Sequence, residues 1–133
     1  MEALLEWPKE VPLGNRRDVI RWWESRRFRF NLYVGSIGVA TWLLVLVAGS
    51  AAVKPGVDFA EPMAMIFGSF LYAFFANICY SFGWVLDAVS FRGFPRVRLY
   101  KLGILFSVTI TALPGLWAVV AWLTTVITGR KLD

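Results

Sequence analysis

The chain has 133 residues, of which 58% are hydrophobic, 17% aromatic and 17% charged, with a formal net charge of +5. A soluble domain carries about 25% charged residues, and here the missing charge is missing in blocks: no Asp, Glu, Lys or Arg occurs from Phe30 to Val53, from Pro62 to Leu86 or from Leu102 to Gly129. Histidine is absent and Cys79 is the one cysteine, which excludes imidazole acid–base catalysis, a Ser-His-Asp triad, His-ligated metal and an intrachain disulfide.

As helices the three uncharged runs would be roughly 36, 37 and 42 Å long, against a hydrocarbon core of about 30 Å. Each crosses a bilayer once with tilt to spare. The expected fold class is therefore an all-α membrane protein with spans at about 31–53, 62–86 and 102–129, forming a transmembrane domain over residues 31–133. Residues 1–30 are expected to be an N-terminal arm followed by an interfacial amphipathic helix.

The arm, residues 1–13, contains Pro8 and Pro12 and has no clear period. From Asn15, the expected helix cap, the pattern turns helical: Val19, Trp22, Trp23 and Phe30 share one side and Arg occupies most of the other. Trp settles at the headgroup level and Arg snorkels to phosphate, so this helix is predicted to lie along the membrane surface and to turn into the first span near Asn31. No small-residue cleavage site follows the first apolar run, so the segment does not read as a cleaved signal peptide.

Lys and Arg are unevenly divided. Lys9, Arg16, Arg17, Arg21, Arg26, Arg27 and Arg29 precede the first span, and Arg92, Arg96, Arg98 and Lys101 lie between the second and third. The first loop holds Lys54 and the tail holds Arg130 and Lys131. By the positive-inside rule the N-terminus and second loop are cytoplasmic, and the first loop and C-terminus external. In that external loop Asp58 and Glu61 have capping-box spacing ahead of Pro62. An external cation-attracting vestibule is the alternative use of the same two acids. The Arg cluster either anchors the chain at the surface or forms an anion site, made of Arg16, Arg17, Arg21, Arg26, Arg27, Arg29, Arg92, Arg96 and Arg98, for a lipid headgroup, a nucleotide or an acidic protein.

The second span carries Ser69, Ala73, Asn77 and Ser81 at four-residue steps, and the third carries Gly103, Ser107, Thr111 and Gly115. Small residues at this spacing let helix backbones approach where lipid gives no hydrophobic drive. Counted from the cytoplasmic ends, Asn77 and Thr111 both lie about 13 Å deep. The two spans are thus expected to pack antiparallel along these ridges, Asn77 bonding to Thr111 or to a nearby backbone carbonyl. Asn77, Tyr80, Trp84 and Asp87 make an adjacent stripe. Asp87 stands at a helix C-terminal end, where the dipole disfavours negative charge, so it requires a cation from among Arg27, Arg29, Arg92 and Arg96. It is either a structural clamp or, with Asn77 and Ser81, part of an ion route that needs several copies, because three helices cannot enclose a wet pore. Pro114-Gly115 should loosen the third helix. Trp42, Trp117, Trp122, Phe67, Phe70, Phe74 and Phe75 are expected to face lipid or to pack, with no site.

The string Trp23-Glu24-Ser25-Arg26-Arg27-Phe28-Arg29-Phe30-Asn31, the motif Ala76-Asn77-Ile78-Cys79-Tyr80 followed by Asp87, and the basic loop entering Leu102-Gly103-Ile104-Leu105-Phe106 resemble a group of small uncharacterised bacterial multi-span inner-membrane proteins, over roughly residues 20 to 110. The resemblance implies a bacterial inner-membrane setting and one connected polar network of Glu24, Arg27, Asn31, Asn77, Tyr80 and Asp87.

With no nucleophile–base pair and no ligand cluster, no enzyme, cofactor, metal site or specific DNA binding is expected. The expected function is a homo-oligomeric channel or pore module whose Arg-rich cytoplasmic face meets anionic headgroups and senses an anionic ligand or partner. The alternative is an accessory or scaffold subunit assembled with other membrane subunits.

Overall fold

A computed structural model describes residues 15–90 and 95–132, and these form three long helices. Helix α1 runs Arg16–Ala52 (37 residues), as α-helix over Arg16–Leu44, a π-helical turn at Val45–Gly49 and a last α turn at Ser50–Ala52. Helix α2 is Pro62–Ser90 and α3 is Arg96–Thr128. All three are long and apolar enough to cross a membrane. The expected arm at residues 1–13, with Lys9, and the loop residue Arg92 lie outside the described residues.

Local signals set the ends. The Asn15 side chain accepts the backbone N–H of Asp18 at 3.0 Å, an N-cap that satisfies one orphan donor of the first turn. At α2 the cap is Glu61, which takes the N–H of Ala64 on its carboxylate and the N–H of Met65 on its carbonyl. Asp58, the expected cap, stands too far ahead of Pro62 to serve. Helix α3 stops at Gly129, whose φ of 67° is the left-handed C-terminal conformation and whose N–H returns to Thr125 O at 2.9 Å. Beyond it Leu132 pairs with Val53, donating to Ala52 O (2.9 Å) and accepting from Lys54 N (3.2 Å). The end of α3 is thereby tied to the end of α1, opposite the basic end where α1 begins.

Helix α1 passes Asn31 without a break, so the expected turn from a surface helix into the span is absent. The reason is what the apolar face covers. Val19, Trp22, Trp23 and Phe30 are buried against Ala76 and Tyr80 of α2 and Val97, Tyr100 and Ile104 of α3, the main core of the molecule. A face occupied by protein has no need to lie on a membrane surface. The basic end is therefore a three-helix bundle built around aromatic rings: Trp22, Trp23, Tyr80 and Tyr100 meet edge to face at centroid distances of 5.4 to 6.3 Å, the geometry their quadrupoles favour. Gly83 makes room for Trp23, since a Cβ there would stand 2.9 Å from the indole edge.

Toward the other end α1 and α3 pack closely, and Met65 and Ser69 of α2 still reach them. Thr41, Val45, Ala48 and Ala52 form a buried stripe on α1, and Gly115, Ala118, Ala121 and Thr125 form one on α3. Small groups on both helices allow this approach. The α3 ridge expected to meet α2 thus turns in part to α1: Thr41 Oγ1 donates to Thr111 O at 2.9 Å, and Gly115 lies against Thr41 and Leu44. The π turn follows, with Ser50 bonding back to Leu46 and Val47 carbonyls and Gly49 receiving the ring of Phe59 from the connecting loop.

A Cβ on Gly115 would meet the Thr41 backbone at 3.1 Å, whereas one on Gly103 meets nothing within 4 Å. Gly115→Leu is expected to cost about 1–3 kcal/mol through overpacking, read as a lower thermal midpoint in detergent, with Gly103→Leu showing no comparable loss.

Candidate functional site

Three polar systems join the helices, two of them at the basic end. The first is centred on Asp87, 1% exposed. Arg96, from the first turn of α3, presents Nε and Nη2 to its two oxygens, and Trp23 Nε1 donates to Oδ2 at 2.9 Å. Three helices thus converge on one carboxylate. The cation that Asp87 requires is Arg96; Arg27 is engaged elsewhere. Tyr80 adds a bond from its hydroxyl to the carbonyl of Trp23 at 2.5 Å. Arg26 stacks on the Trp22 ring at 4.0 Å, with Arg96 at 5.7 Å, and its guanidinium also donates to the Trp22 carbonyl.

The second system lies on the α1–α2 seam. Arg27 donates through Nε and Nη2 to the two oxygens of Glu24 (2.8 and 2.7 Å), through Nη2 to Ser81 Oγ (2.9 Å) and through Nη1 to Asn77 Oδ1 (3.3 Å). Asn77 and Asn31 bond reciprocally, Asn77 Nδ2 to Asn31 Oδ1 at 2.9 Å and Asn31 Nδ2 to Asn77 Oδ1 at 3.3 Å. Asn77 also donates to the Ala73 carbonyl one turn earlier at 3.0 Å. Of the two partners expected for Asn77, the nearby carbonyl is taken and Thr111 is not. The reason is rotation: the ridge Ser69, Ala73, Asn77 and Ser81 faces α1, where Arg27, Asn31 and Trp42 meet it, Trp42 Nε1 donating to Ser69 Oγ at 2.9 Å.

The third system binds α2 to α3 through Tyr72, one position off that ridge. Its hydroxyl donates to Ser107 O at 2.7 Å and accepts from Thr111 Oγ1 at 2.9 Å.

Glu24, Arg27, Asn31 and Asn77 therefore form one cluster and Tyr80 and Asp87 another, the two meeting where the Arg27 guanidinium lies 5.0 Å from the Tyr80 ring centroid. The Arg residues divide likewise. Arg16, Arg17, Arg21 and Arg98 are exposed, Arg29 is half-buried, and Arg26, Arg27 and Arg96 are committed to contacts inside the bundle. Trp23, Thr41, Trp42 and Tyr72 are the partners that sequence reasoning did not place. Among the described residues no group of three or more acidic, Cys or His side chains is placed to hold a metal.

The fold and these systems define a helical protein with three helices fit to span a membrane. Compared with known family models, curated proteins and solved structures, the chain matches none.

Removing one partner of a buried ion pair leaves the other uncompensated, so Asp87→Ala is expected to cost about 3–5 kcal/mol. The double variant Asp87→Leu, Arg96→Met should recover most of that, and Asn77→Leu should cost about 1 kcal/mol. Denaturation midpoints in one detergent compare all three.

Proposed function

We propose that the chain is a non-enzymatic module of a bacterial inner membrane, N-terminus cytoplasmic and C-terminus external, that serves as an accessory or scaffold subunit of a membrane assembly. One observation carries this reading: Arg27, Asn31, Thr41, Tyr72, Asn77, Asp87 and Arg96 direct polar side-chain atoms to bonds between helices, while the outward surface is largely apolar and aromatic, with Phe67, Phe70, Phe74, Phe75 and Trp117 all more than half exposed. Such a surface packs against lipid or other helices; it does not line water. The exposed Arg16, Arg17, Arg21 and Arg98 at the basic end supply attraction to anionic headgroups or to an acidic partner.

The homo-oligomeric channel is the second reading. It is favoured by the depression beside Arg27, Asn77 and Ser81, about 310 Å³ and walled by Phe74, Ile78, Phe82 and Val85, which leaves the edge of that cluster accessible to a neighbouring protomer.

The mass of the detergent-purified protein, followed by conductance in liposomes, separates the two. The subunit reading expects no conductance from the purified chain and no change in ion flux from Asn77→Leu. An oligomer that conducts, and stops conducting in Asn77→Leu, overturns it in favour of the channel.

A further inference from the structure

Farther along the two helices from the second polar system lies a separate groove, and the charged cluster and the groove together have the layout of a lipid. Beyond the Asn31–Asn77 cross-link the two helices part. They leave a cavity of about 550 Å³ between Gly35, Gly38 and Trp42 on one wall and Gly68 and Ala73 on the other, with α3 as its floor, within the size range of specific small-molecule sites. The Trp42–Ser69 bond bridges the helices farther along. Gly35 and Gly68 do not serve close helix contact, because a Cβ on either would meet nothing within 4 Å, whereas one on Gly38 would touch Thr111 at 3.7 Å. They keep space open in the uncharged part of both helices.

The other end of the seam is charged, with both signs side by side. Glu24 and Arg27 form a two-bond pair; Glu24 is exposed and its side chain is 43% accessible. The four Arg27 bonds leave one guanidinium N–H over, and each Glu24 oxygen retains a lone pair. Arg27 and Asn31 are four residues apart, about 6 Å along the helix, and the headgroup layer of one leaflet is about 5–7 Å thick. The uncharged run of α1 starts at Phe30.

We propose that this seam binds one phospholipid with a primary-ammonium zwitterionic headgroup. The phosphate meets Arg27, the ammonium meets Glu24, the ester region lies beside Asn31, and one acyl chain fills the groove at Gly35, Gly38 and Gly68. Charge complementarity selects this occupant: a purely anionic headgroup gains Arg27 but confronts Glu24, and a second protein helix has no ammonium–phosphate pair to offer the two. The site belongs to a single chain, so it goes beyond the subunit reading and holds for monomer and assembly alike.

The full-length protein is reconstituted in lipid nanodiscs or vesicles of phosphatidylethanolamine, phosphatidylglycerol and phosphatidylcholine in equal parts, extracted mildly, and weighed by native mass spectrometry. The expected result is one phosphatidylethanolamine retained about tenfold over either competitor, the factor for a charge-assisted hydrogen bond of about 1.4 kcal/mol. Glu24→Gln should remove the preference over phosphatidylcholine, whose quaternary ammonium cannot donate. Gly35→Leu with Gly68→Leu should abolish retention of any lipid at this site, while the circular dichroism and thermal midpoint in detergent show that the bundle stays folded. Equal retention of the three lipids, preference for phosphatidylglycerol, undiminished retention in the double-Leu variant, or a dimer in place of the adduct would each overturn the proposal.

Discussion

A carboxylate taken out of water must find charge and hydrogen bonds close at hand, and the basic end of this molecule is organised by that requirement at Asp87. Arg96 and Trp23 reach it from the other two helices, so the register of all three is set at one point. Around it the rings of Trp22, Trp23, Tyr80 and Tyr100 close the space that water would otherwise enter. The coulombic attraction offsets a desolvation cost of several kcal/mol per ion only when geometry is good; the two-point contact of a guanidinium with both carboxylate oxygens supplies it.

Away from that point, cohesion comes from close approach. Helices α1 and α3 meet along Thr41, Val45, Ala48 and Ala52 on one side and Gly115, Ala118, Ala121 and Thr125 on the other. Helix α2 joins the pair at the basic end and again through Tyr72, Ser69 and Met65. Between α1 and α2 the packing is less complete, leaving the groove at Gly35 and Gly68.

The three long apolar helices were legible because lipid tolerates few charges, and gaps in the charge pattern are visible directly. The need of Asp87 for a cation was legible for the same reason. What the spacing could not tell was which neighbour each ridge faces. Four-residue steps place Ser69, Ala73, Asn77 and Ser81 on one line, but with three helices that line has two addresses, and Asn31 rather than Thr111 stands opposite Asn77. The Trp-rich face of residues 19–30 was ambiguous in the same way. Amphipathicity says that one side avoids water, and a membrane surface and the rings of Tyr80 and Tyr100 satisfy it equally. The π turn at Val45–Gly49 left no mark in the residue pattern, and the ring of Phe59 that lies against Gly49 there comes from a different part of the chain.

The pairing of α1 with α3 bears on how the molecule is made. These two helices are separated in the chain by the whole of α2, and contacts between distant segments bring loop-closure cost forward and slow a fold. In order of synthesis the first helix therefore precedes its partner, with the stripe of Thr41, Val45, Ala48 and Ala52 uncovered until α3 is made, and Asp87 on the second precedes Arg96. Completion of the bundle waits for the last third of the polypeptide, so the incomplete chain is most open to mispairing in the interval between the making of α2 and the docking of α3.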